Sequence, residues 1–291
     1  MLAFRSIFAF AISTSLSLLA AEEADARLPG YRVTYPLHSL DLHHFSVSAA
    51  KTSRGHFSFG DTNATVDFNP FTTESSSTNI VAGFRTIYMS LSSNLKPKCT
   101  PYAVLGANSV YTGIEKWKLI GNLVIQPDIT HFDLSRRTRY IGSIMGIRSI
   151  TETISGHIGG YAELGMKTAK VKPIIGLDYT DNLWKAQLVY PIKAGISYLG
   201  CQHHVFSFMA RPFRAAVCTH KGLHHKPSIV RYRGAGTELR WDYISNSWNG
   251  WLTLGRTFDG NLTIGDHNNR NKKSMHVKKT PYLQIGCTLG L

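Results

Sequence analysis

The sequence predicts an all-β chain folded as an antiparallel up-and-down transmembrane β-barrel of about 12 strands, with roughly 10 to 14 compatible with its length. Three observations predict it. Four separate segments alternate polar and apolar residues with a period of two. Charged residues make up only 17% of the 291, against roughly a quarter in soluble domains. The N-terminus reads as an export segment, and no later run reaches the roughly 18 apolar residues that a spanning helix needs. An exported chain without such a helix can cross a bilayer only as a closed barrel, because every backbone group must then be satisfied by a neighbouring strand.

The export segment comes first. Residues 1–26 combine Arg5, an apolar run from Ile7 to Ala21 and small residues suited to a peptidase, with cleavage expected after Ala21 or Ala26. Residues 27–291 then form a single domain, since no linker or repeat divides them.

Turn clusters are expected at Asp61 to Asn63, Ser92 to Pro97, Asp181 to Asn182, Ser245 to Asn249, Asp259 to Asn261 and Asp266 to Asn271. Residues 79–93 and 139–150 carry apolar groups on both faces, so their register is not fixed by pattern. Residues 114–125 are compatible with a short helix but are read as a strand from their glycine and β-branched content.

The second half alternates cleanly. In residues 157–167, Ile158, Ala162, Leu164 and Met166 oppose His157, Tyr161, Glu163 and Lys167. In residues 184–190, Trp184, Ala186, Leu188 and Tyr190 oppose Lys185 and Gln187. In TELRWDY, Glu238, Arg240 and Asp242 oppose Leu239, Trp241 and Tyr243. In the last segment, Leu283, Ile285, Cys287, Leu289 and Leu291 oppose Gln284, Gly286, Thr288 and Gly290. The expected lumen face is therefore Glu163, Lys167, Lys185, Gln187, Glu238, Arg240 and Asp242, and the expected lipid face is Leu164, Leu188, Leu239, Trp241, Leu283, Ile285 and Leu289. Tyr243, Trp248, Trp251, Trp184 and Tyr282 sit near segment ends, where an interfacial girdle wants aromatics.

The final strand, QIGCTLGL, resembles the C-terminal insertion signal of outer-membrane barrels through Gln284, Gly286, Leu289 and Leu291, although most bacterial members end on Phe or Trp. With the PIIGLDYTDNLWKAQLVYPIKAGISYL and RGAGTELRWDY runs, residues 170–291 resemble an uncharacterised family of bacterial outer-membrane β-barrel proteins. The resemblance implies a Gram-negative outer membrane as the location, the barrel-assembly machinery as a partner, and a structural, adhesive or porin-like role. The alternative is a secreted soluble β-sandwich or lipocalin-like ligand carrier, since alternation alone suits both. An outer-membrane hydrolase ranks third, because the sequence shows no G-x-S-x-G elbow, H-E-x-x-H pair or Gly-rich phosphate loop. No catalysis and no cofactor are expected.

The net charge of +14 gathers in expected loops, at Arg136, Arg137 and Arg139, at His220 to Lys226 followed by Arg231 and Arg233, and at Arg270, Lys272, Lys273, Lys278 and Lys279. Such patches favour outer-membrane lipid, lipopolysaccharide phosphates, anionic solutes or acidic glycans over nucleic acid, for which no recognition module is present. His220, His224 and His225 lack a matched carboxylate or thiolate set, so no metal site is expected. Of the four cysteines, Cys201 and Cys218 would pair only if a hairpin turned near Met209 to Arg211.

Overall fold

The computed structural model describes residues 38–53, 55–92, 95–130, 137–166, 168–219, 228–245, 247–266 and 272–290. The export segment, Lys167, Leu291 and the loop histidines His220, His224 and His225 lie outside them.

Sixteen strand elements make the wall: β1 (His38–Thr52), β2 (Gly55–Thr72), β3 (Ser76–Leu91), β4 (Leu95–Ile114), β5 (Trp117–Gln126), β6 (Arg139–Ser149), β7 (Ile154–Gly165), β8 (Thr168–Thr180), β9 (Trp184–Tyr190), β10 (Lys193–Tyr198), β11 (His204–Thr219), β12 (Ser228–Ile244), β13 (Trp248–Thr257), β14 (Gly260–Asp266), β15 (Lys273–Val277) and β16 (Pro281–Gly290). From β1 to β12 each pairs with its neighbour in sequence. β13 and β14 lie end to end along β12, and β16 and β15 lie end to end along them in turn. Each of these pairs is one wall strand with a short interruption. β16 pairs with β1 from Ser39↔Gly290 to Val47↔Tyr282, which closes the sheet.

The closed antiparallel barrel therefore has 14 strands rather than about 12. The count rose because the connections are short. β4 passes to β5 through Glu115 and Lys116 alone, and β9 to β10 through Pro191 and Ile192 alone. Chain that loops were expected to take goes into the wall.

Local chemistry sets several corners. The Asp181 carboxylate accepts the amides of Leu183 at 2.8 Å and Trp184 at 2.7 Å, which turns β8 into β9. Those two amides hold Asp181 below its usual carboxylate range. Gly165, at φ +96, lets β7 reverse into β8 in a backbone region that other residues rarely adopt. Asp61 to Asn63, expected as a turn, lies instead inside the 18-residue β2, where Asp61 and Asn63 face inward. A polar inner face had the composition of a turn.

The wall is uneven in height. β4 has 20 residues and β12 has 17, whereas β9 has 7 and β10 has 6. β10 pairs with β11 only as far as Ala194↔Ala210. Beyond that point β11 has no ladder to β10 while β12 stays paired with β14, and the free β11 edge of the β11–β12 hairpin curls into the barrel, as its contacts show. One of its faces carries Phe213, Ala215, Val217, Val230 and Tyr232, which form a single buried core with Phe45, Val47, Phe57, Phe59, Ile87 and Met89 of the opposite wall and with Leu262, Ile264 and Met275. Ring contacts cross the lumen here: Phe57 to Tyr232 at 5.1 Å and Phe45 to Phe213 at 5.3 Å. Its other face is also buried at Cys218, 1% exposed and a neighbour of Tyr102 on β4. Parity in β11 assigns Cys218 to the outward row of Phe206 and Phe208, so only an inward fold of the hairpin brings it to Tyr102. We refer to this folded-in sheet as the partition.

Cys201 and Cys218 lie near opposite ends of β11. At about 3.3 Å per residue their separation is on the order of 45 Å, far beyond the roughly 7 Å limit for a bridge. The Cys201–Cys218 pairing, conditional on a hairpin turn near Met209 to Arg211, is therefore excluded, because β11 runs straight through that position.

Candidate functional site: the barrel lumen

The alternation of the strands sorts the predicted site residues onto two surfaces. Leu164, Leu188, Leu239, Trp241, Leu283, Ile285 and Leu289 are 47%, 64%, 65%, 40%, 41%, 52% and 37% exposed on the outer surface. Lys185, Glu163, Glu238 and Arg240 point inward and are buried, as their strand parity dictates. Gln187 and Asp242 share that inner face and are partly buried. Gln284, Gly286 and Leu289 of the terminal signal lie on β16, with Gln284 turned inward and Leu289 outward.

Inside, most charges are paired. The Arg85 guanidinium binds both oxygens of Asp61, through Nε at 2.9 Å and through a second N–H, and also reaches Gln126 at 3.2 Å. Arg139 donates to Glu163 at 3.1 Å, and the Tyr161 hydroxyl donates to the same carboxylate at 3.3 Å. Asp178 lies 3.0 Å from His157 and accepts from Gln187 at 2.9 Å. Arg211 binds Glu238 at 3.1 Å and also contacts Gln284, while the Tyr282 hydroxyl donates to Glu238 at 2.5 Å. Arg240 holds Asp242 through Nε and Nη2 at 2.7 to 3.0 Å and stacks over Trp251 at 5.1 Å. Pairing of this kind is what a low-dielectric interior demands of charges that it encloses.

Arg139 and Arg231, placed in basic loops from the sequence, are buried strand residues. Two aromatics expected in a girdle also face inward: Trp251 is 8% and Tyr282 4% exposed, because each shares parity with the inner row of its strand. Trp184, Tyr198, Tyr243 and Trp248 remain as outer aromatics at one end, with Trp184 against Tyr198 at 5.0 Å and Tyr243 against Trp248 at 4.9 Å. Asp61, Arg85, Arg139, Asp178 and Arg211 were not singled out as lumen residues from sequence, whereas His157 was placed on the polar face of its strand. Their alternation was the available signal, obscured where apolar residues fill both faces.

An apolar belt also lines the inside, with Val124 and Ile141 each 1% exposed and Ile174 fully covered. Beneath the partition a cavity of about 100 Å³ is bordered by Asp61, Arg85, Gln126, Arg211, Phe213 and Gln284. Phe45, Phe59, Val81, Val104 and Val124 border the same cavity, so charged and apolar side chains together fill this part of the interior. Among the described residues no group of three His, Cys, Asp or Glu side chains is placed to hold a metal ion.

No family model matches the chain, and no curated protein matches it in sequence. Solved structures similar to it include an outer membrane channel from Pseudomonas putida F1, at TM-score 0.49 and 9% identity over 90% of this chain and 98% of that one. The KdgM porin in complex with disordered oligogalacturonate follows at TM-score 0.38 and 8% identity, over 87% and 99%. OpdK of Pseudomonas aeruginosa with vanillate has TM-score 0.35 and 9% identity, over 87% and 98%.

Arg240→Ser should cost roughly 3 kcal/mol in folding free energy, because it removes one partner of an enclosed ion pair, leaves the Asp242 carboxylate unpaired and ends the stacking on Trp251. Urea unfolding of the refolded barrel reads this directly. A loss below about 1 kcal/mol would mean that Asp242 meets bulk water and that the pair is not enclosed.

Proposed function

We propose that this chain is an outer-membrane β-barrel with a solute-permeation role, passing small solutes through a narrow lumen of paired charges. The observation that carries the reading is a closed 14-strand wall whose outer surface leaves Phe84, Val171, Leu188, Leu239, Leu254 and Ile285 more than half exposed. Large uncovered apolar surfaces of this kind mark a lipid or partner interface. The secreted carrier reading would need a second layer over these residues, and among the described residues none lies there. In the proposed reading Leu164, Leu188, Leu239, Trp241, Leu283, Ile285 and Leu289 contact acyl chains, while Glu163, Lys185, Gln187, Glu238, Arg240 and Asp242 line the passage. The reading requires no catalytic step.

Orientation follows from connection length. The three longest connections, after β5, β11 and β14, share one end with Arg137 and Lys272. Barrels place short turns in the periplasm and longer loops outside, so this basic end faces outward in the proposed reading, toward lipopolysaccharide phosphates. β16, with Gln284, Gly286 and Leu289, is the strand offered to the assembly machinery.

Two measurements test the proposal. The protein should stay with membranes through high salt and carbonate and show heat-modifiable gel mobility; release by mild osmotic shock would refute the membrane placement. Refolded protein in a planar bilayer should give small conductance steps. If none appear at any salt or voltage, the permeation role is lost and the barrel stands.

A further inference from the structure

The inward fold of the β11–β12 hairpin leaves a notch in the wall. β9 pairs with β8 only from Ile175↔Tyr190 onward, and β10 pairs with β11 only up to Ala194↔Ala210. The β8 residues before Ile175 and the β11 residues after Ala210 therefore border a gap above the short β9–β10 hairpin. Lys170 and Lys172 stand on the first border, and Arg214 stands on the second.

Arg214 pairs directly with Arg233 in the β11–β12 register. Like charges placed opposite one another across a ladder repel and destabilise it. Here they are joined by more of the same sign: Lys170 lies within electrostatic reach of Arg214, Arg233 and Arg139, Lys172 within reach of Arg214 and Arg233, and Arg231 beside Arg233. The carboxylates within reach of this group are both engaged: Glu163 is bound by Arg139 at 3.1 Å and by Lys170 at 3.6 Å, and Asp61, within reach of Arg139, is held by Arg85 at 2.9 Å. Elsewhere in the lumen arginines meet acids nearly one for one. Arg233 is exposed, and Arg214, Lys170 and Lys172 are partly so, so a ligand has access.

We propose that this notch is a binding site for a phosphate-bearing anion, held between Arg214 and Arg233 of the partition and Lys170 and Lys172 of β8. Two guanidinium forks and two ammonium groups within electrostatic reach of one another suit a tetrahedral oxyanion, with bidentate contacts from the arginines and point charges from the lysines. The phosphate can belong to a free solute passing the lumen or to the headgroup of a lipid reaching the notch from the bilayer. The site deepens the permeation reading and rests on membrane placement only for the lipid source.

The test uses the full-length refolded barrel in phosphate-free detergent, titrated with pyrophosphate, and the same protein in nanodiscs with or without lipid A. We expect saturable binding that weakens tenfold or more in Arg214→Gln and in Lys172→Gln. Lys172 stands on a wall strand outside the partition, so its variant keeps the test valid should the hairpin variant misfold. Without ligand, Arg214→Gln should unfold at the same or higher urea concentration than the parent chain, since one repulsive partner is gone. Pyrophosphate binding in detergent assigns the site to a free solute, and capture of lipid A alone assigns it to a headgroup. Absence of saturable binding to both, or equal binding by the parent and both variants, overturns the site. Binding is read without conductance, so its failure and the failure of permeation are told apart.

Discussion

Leu239→Arg should destabilise the folded barrel by about 2 to 4 kcal/mol in lipid, the cost of a cation near the bilayer midplane on a barrel's outer face. Leu239 is 65% exposed in the middle of an outer row made by the register Phe208↔Leu239↔Leu254↔Leu283, whose other members are 54%, 58% and 41% exposed. Nothing polar lies in this row to receive a guanidinium. In a water-soluble protein the same change at an exposed position would move stability by only about 0.5 kcal/mol. Equilibrium urea unfolding of the refolded protein in vesicles separates these cases. A loss below about 0.5 kcal/mol at Leu239 would remove lipid from the outer face and leave the permeation reading without support.

Tyr232→Ala should cost roughly 3 to 5 kcal/mol, the range for deleting a large buried aromatic ring. Tyr232 is fully covered and packs against Phe57 at 5.1 Å and Phe59 at 5.9 Å on the opposite wall. A barrel whose strands only ring a water-filled bore would lose little at this position, since its inward residues touch solvent. The measured cost therefore reports whether the partition is a packed layer. A loss under about 1 kcal/mol would mean that the partition does not close on β2. A large loss should come with bigger conductance steps, because the ring that bridges the lumen is gone.

The second half of the chain was legible because charge marks its inner face. Glu238, Arg240 and Asp242 share one parity, and a charge cannot be traded for a packed core without leaving a pattern. The first half was harder to read for a physical reason now visible. Val81, Ile87 and Met89 of β3 are buried against interior apolar layers while Phe84 and Tyr88 face outward. Both rows of that strand are therefore greasy, and period-two contrast disappears. The partition itself gave no local signal, since an inward fold of Phe213 and Tyr232 depends on β9 and β10 being short. Trp251 and Tyr282 were read by their position near strand ends, whereas the parity of Leu283 and Ile285 already assigned Tyr282 to the other face. Asp61 was mistaken for a turn residue because its partner, Arg85, lies on another strand.

In the membrane placement proposed above, the short flank has a mechanical consequence. Seven residues at about 3.3 Å, tilted near 40°, span roughly 18 Å, against the roughly 25 Å apolar band of a typical barrel. Beside β9 and β10, of 7 and 6 residues, the hydrocarbon must become thinner to meet the protein, at a cost of fractions of a kcal/mol per Å of mismatch. Acyl chains along this flank would then be compressed relative to those beside β2 to β4, which gives the proposed membrane barrel a built-in lean.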